Sequence, residues 1–198
     1  MSRTLTALFA AALALPSVAL ASPSRFTGEN PLGVARAEFR AAQEGMEAIY
    51  ERRYSEALQG FERAGIDFPD SPLGPVGREI TYQAMMYESH DFAWDRAFQT
   101  EVGEAKDRFG RASRRDGGPW NNFLLGVHEG MGALYDLRHD DTLSAFNKAW
   151  EALELMKRVE RQAPEFEDVQ LALGMYNYWR TSLSEKVRGL PRFGDHRD

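Results

Sequence analysis

The chain of 198 residues contains no cysteine. That absence excludes disulfides, thiolate-held zinc, a cysteine nucleophile and the lipid-bearing cysteine of a bacterial lipoprotein. Basic clusters are scarce too, with none larger than Arg114-Arg115, and 24 Lys and Arg against 30 Asp and Glu give a formal net charge of −6. Nucleic acid is therefore not an expected partner. No segment beyond the N-terminus is long and apolar enough to cross a bilayer, which takes about 20 residues. There is no phosphate loop, no nucleophile elbow and no pair of histidines at metal-binding spacing. His128-Glu129 opens like a zinc-protease motif, but the second histidine would fall where Gly132 stands. The reading that follows is a protein without catalysis, cofactor or metal.

What is present begins with an export signal. Arg3 is followed by an apolar run from Ala7 to Leu15, a breaker at Pro16, and Ala19-Leu20-Ala21 before Ser22. This is the order of charge, apolar stretch and small residues that a secretory signal peptide requires, with cleavage expected after Ala21. Removal of residues 1–21 takes away one cation and no acid, leaving the mature chain more acidic still. Export without disulfides fits a bacterial periplasm, or secretion beyond it. Residues 22–31, with two prolines and a glycine, read as an extended leader. With 43% apolar residues the remainder can bury a core.

From Leu32 the chain carries helical periodicity, one apolar face recurring every three or four residues. Ala35, Phe39, Ala42, Met46 and Ile49 mark a first helix ending near Arg53, and Ala57, Phe61 and Ala64 a second over about 55–67. Asp70 to Pro75 reads as a turn cluster. Ile80, Ala84 and Tyr87 mark a third helix, and Trp94, Ala97, Phe98, Val102, Ala105 and Phe109 a long fourth one. Asp116-Gly117-Gly118-Pro119 is the strongest internal break, with Pro119 suited to the first turn of a fifth helix reaching Leu137. Gly130 and Gly132 inside that helix call for close approach of a neighbour, or for a ligand on bare backbone. Asp140 or Asp141 would cap a sixth helix, whose predicted inner face is Leu143, Phe146, Ala149, Trp150, Leu153, Met156 and Val159. His139 with the two acids is also a candidate cation site. A seventh helix is expected over about 165–184, then a turn-like tail over 187–198.

The stretch from Gly45 to Pro69 carries more than periodicity. A small residue at Gly45 is followed at fixed offsets by Tyr54, Ala57, Phe61, Ala64 and Pro69. In this the chain resembles the tetratricopeptide repeat family. Leu125-Gly126 and Leu173-Gly174 repeat the pair that opens a unit, the latter following Pro164 at the family's spacing. The resemblance implies an all-α, right-handed α-solenoid of about three and a half helical hairpins over residues 32–186. It further implies a non-catalytic scaffold or adaptor of the bacterial envelope, holding a protein or peptide in a groove. The family's groove positions fall on Phe39, Ala42, Met46, Ile49 and Tyr50, then Trp120, Phe123, Val127 and Met131, then Asp168, Leu171, Met175, Tyr178 and Trp179. Almost all are apolar, whereas a clamp for a peptide carboxylate would show lysine, arginine and asparagine.

Two readings of that lining remain open: an ordinary core in a tight array, or a groove for an amphipathic or hydrophobic segment. The candidate partner-binding residues are Tyr50, Trp120, Phe123, Met175, Tyr176, Tyr178, Trp179 and Arg180. The last four cluster on the terminal helix, where aromatics and arginine favour contact with a partner or self-association. The alternative from another class is a carbohydrate-active or metal-dependent enzyme on a helical array, using two groove acids as a glycosidase pair.

Overall fold

The computed structural model describes residues 32–112 and 118–184, those from 178 onward as backbone only. The predicted signal peptide, leader and tail lie outside the described residues. Within them the protein is all-α, with seven helices and no strand. These are α1 (Arg36–Tyr50), α2 (Tyr54–Asp67), α3 (Leu73–Ser89), α4 (Asp95–Ala112), α5 (Pro119–Arg138), α6 (Thr142–Gln162) and α7 (Asp168–Ser184). Each helix from α1 to α7 packs on the next in the chain, and α3 additionally touches both α1 and α5. None of the residues of α5 is fully exposed.

The α1–α2–α3 contact is organised by one ring. Phe61 on α2 is 1% exposed, and a Cβ added at Gly45 of α1 or Gly77 of α3 would lie 2.3 or 2.1 Å from it. Neither position tolerates a side chain while Phe61 stays, so two glycines form the slot that the phenyl fills. Ala57 and Ala64, one turn to either side, are completely covered. Burial of the ring contributes about 1.5–3 kcal/mol. A backbone crossing adds to this, because a Cβ at Gly74 would stand 2.6 Å from the Gly65 Cα.

Arginines tie α4 into the same corner. Arg108 donates to the backbone oxygens of Gly65 (3.2 Å) and Ser71 (3.0 Å), so its cation meets the carbonyl end of α2, where the helix dipole is negative. Arg78 of α3 pairs with Glu101 (2.7 Å) and Glu104 (3.1 Å) of α4, and Arg108 with Glu104 (2.6 Å).

Several boundaries differ from the sequence reading for physical reasons. α3 begins inside the stretch read as a turn: Gly74 and Pro75 occupy its first turn, where a missing N–H removes no intrahelical bond. Trp94 precedes α4, in a loop whose Ala93 N–H is held by the Asp91 carboxylate. The sixth helix does not bury the predicted stripe entire, because Leu143 (73% exposed) and Trp150 (44% exposed) lie on its open side. Its covered face is Ala145, Leu153, Leu155, Met156 and Val159 instead. Pro119 does open α5, and Asp141 caps α6 by accepting from the Ser144 N–H at 3.1 Å. Gly126 faces Met156 and Leu155 of α6, so close approach explains it, whereas Gly130 faces open space.

Candidate binding groove

Helical spacing places Phe39, Ala42 and Met46 on one stripe of α1, Ile80 and Ala84 on one stripe of α3, and Phe123, Val127 and Leu134 on one stripe of α5. All eight are half-buried. α3 contacts both α1 and α5, and all of these side chains but Leu134 pack against the buried core. The stripes contain no charged residue. They form the partly exposed margin of that core.

At one end the stripes are joined by rings. Phe39 meets Trp120 edge-on at 6.2 Å, Trp120 stacks near Phe123 at 6.0 Å, and Phe123 meets Phe166 edge-on at 4.9 Å. The run crosses from α1 through the first turn of α5 to the segment leading into α7. Trp120 is nine-tenths buried within it, and its indole Nε1 donates to the Glu38 carboxylate at 2.6 Å. Glu38 also accepts from the Ser71 hydroxyl. A buried carboxylate with two donors fixes the indole within the core.

Tyr50 stands at the end of α1 and Asp168 at the start of α7. Tyr50 is 75% exposed, yet surrounding protein, and then the Asp168 carboxylate, raise its phenol above the usual value. Burial, then Glu167, pushes the Asp168 carboxyl up in the same way. Leu171 and Met175 continue along α7 from Asp168, exposed by 60% and 44%. Tyr176 is half-buried. Tyr178, Trp179 and Arg180 belong to α7, and their side chains lie outside the described residues. The structure therefore brings Trp120 and Phe123 together and sets Tyr50 toward the start of α7, while Met175 opens to solvent.

A polar contact missed in the sequence lies beneath the groove. Glu79 of α3 is fully buried and His128 of α5 is 4% exposed, and the imidazole Nδ1 stands 3.0 and 2.9 Å from the two carboxylate oxygens. The Phe109 ring of α4 covers the imidazole at 5.4 Å. One turn along α3, both amide atoms of Gln83 are buried without a hydrogen bond. His128 thus pairs with a helix 49 residues away rather than with its neighbour Glu129. The only hint in sequence was a histidine at a core-facing position of a glycine-rich helix.

The chemistry on offer elsewhere is sparse. No group of three or more metal-binding side chains occurs among the described residues. Asp141 is engaged as a helix cap, and His139 contacts Asp95 at 3.2 Å and stacks on Tyr135 at 4.3 Å. On the far side of α1, a cleft of about 500 Å³ is lined by Glu44, Glu47, Arg53, Glu56, Arg63 and Asp67 among others. Its Arg53 is already paired with Glu51 and Glu56. No family model, no curated protein and no solved structure matches the chain.

Proposed function

We propose that the protein is an exported, tetratricopeptide-like array of the bacterial envelope that holds an apolar segment of a protein or peptide without chemical change. The observation that supports this is the set of half-buried, uncharged apolar side chains of α1, α3 and α5 along the margin of the core. Apolar surface left open beside a filled core is what a docking site for an amphipathic helix requires. The array reading is supported by the Gly45–Phe61–Gly77 slot and by the contacts of α3 with both α1 and α5. These are the contacts expected when consecutive hairpins stack as a right-handed solenoid. Localisation in the periplasm follows from the signal-like first 21 residues, and no described helix is long and apolar enough to cross a membrane.

The test is a titration of short fluorescent amphipathic helices of varied apolar face against the mature chain, with Leu134→Glu as the control. A glutamate at a half-open position should abolish binding and leave the helical circular dichroism intact. Equal binding by both proteins removes the groove from the account. Exposure of Leu171 and Met175 favours a second use, self-association through α7. Light scattering over a concentration series should then show a dimer that Leu171→Glu with Met175→Glu converts to monomer.

A further inference from the structure

The Glu79–His128 contact has no part in holding an apolar segment, yet it is the most completely buried pair of ionisable groups among the described ion pairs. We infer that it is a proton-held latch between α3 and α5, closed while the two side chains share one proton and released when that proton leaves. Because both helices line the groove, the latch would regulate the groove's width. That consequence rests on the binding reading above, whereas the latch itself does not.

The geometry sets the rule. With one proton between them the pair is electrically neutral, whichever side holds it. The imidazole Nδ1 addresses both carboxylate oxygens, and the Phe109 ring keeps water from the other side. Loss of the proton leaves one uncompensated negative charge in a dry contact, held only by the hydrogen bond that the Nδ1–H of neutral imidazole donates to the carboxylate. The groups facing it then make matters worse. Glu101 approaches from α4 and Glu129 from α5, and both push the Glu79 carboxyl up. Arg78, next to Glu79 in the chain, is turned to α4, where it pairs with Glu101 at 2.7 Å. After His128, the leading charges on Glu79 are the acids Glu101 and Glu129, while the cations Lys148 and Lys106 bear on Glu129.

The direction with pH follows. Burial is the largest influence and raises Glu79, against the pull of the His128 hydrogen bond. A group held above its ordinary value contributes stability that is fully present below that value and is lost as pH rises through the folded one. The latch therefore closes in mild acid and loosens toward alkali. Gln83 supplies no substitute tie, since neither of its amide atoms is bonded.

The experiment is hydrogen exchange of the full mature chain from about pH 5 to about pH 9, corrected for the intrinsic pH dependence of exchange. Opening linked to one proton should speed exchange in α3 and α5 by up to about tenfold per pH unit, relative to α1 and α2 amides in the same sample. Glu79→Gln keeps a hydrogen bond to His128 and has no proton to lose, so that excess should vanish. If the variant and the wild type rise in parallel, the latch is wrong. Should the variant not fold, the wild type decides alone, because equal behaviour of α3, α5 and α1 amides also overturns the proposal. A fluorescent leucine–glutamine amphipathic peptide in parallel separates the two ideas. pH-dependent exchange with no peptide binding at any pH sinks the groove reading and leaves the latch. Binding without excess exchange does the reverse.

Discussion

α3 meets α2 through a phenyl ring and glycines, and meets α5 through a carboxylate and an imidazole. The first contact is dry and fixed by volume. The second is fixed by charge and by the direction of hydrogen bonds. Space-filling contacts fail when atoms are added or removed but ignore pH, whereas the polar contact can lose half its partners without changing shape and still fail. The same helix is thus held firmly on one side and conditionally on the other.

The largest effect that would break this contrast is removal of the ring. Phe61→Ala should cost about 3–5 kcal/mol in urea unfolding, equally at mildly acid and mildly alkaline pH; a loss under about 1 kcal/mol would mean the slot collapses freely. On the polar side, His128→Leu strands the Glu79 carboxylate and should cost about 3–5 kcal/mol at neutral pH, while Glu79→Leu with His128→Leu should recover most of it. A double variant no better than the single would show that packing, not charge, governs the seam. Gly77→Ala comes next, at about 1–3 kcal/mol destabilising, despite alanine's advantage of about 1 kcal/mol inside a helix. A gain in stability would show that Phe61 moves easily. Gln83→Leu should stabilise by about 1 kcal/mol, because it removes two unmet polar atoms from α3; thermal unfolding reads this directly. The smallest change lies outside both contacts. Asp141→Ala should lose about 1 kcal/mol through the α6 cap alone, and α3 amide exchange should not follow.

What could be read in advance divides along the same line. Gly45, Ala57, Phe61 and Ala64 announce themselves by residue type, since only small residues permit close helices and only a large one fills the space they leave. Pro119 and Asp141 likewise carry their roles in their own backbone chemistry. The partly open stripes of α1 and α5 were legible as periodicity, but periodicity cannot say whether a stripe is covered, and Trp120 and Phe123 divide on that point. Leu143 and Trp150 misled because the face a helix buries depends on where its neighbour lies, and Gly126 of α5 lies against Ala152, Leu155 and Met156 instead. Glu79 left almost no trace. A lone acid beside Ile80 reads as a solvated residue until a histidine on another helix is seen to meet it, and that meeting is a property of the tertiary arrangement.

The lodging of Phe61 between α1 and α3 also bears on how the protein can be cut. A two-helix fragment ending at Asp67 would leave one flank of that ring bare to water, whereas a fragment carried through Ser89 encloses it on both sides. The natural excisable module at this end is therefore three helices rather than a single hairpin, and any grafting or transplantation of the motif should take α3 along with it.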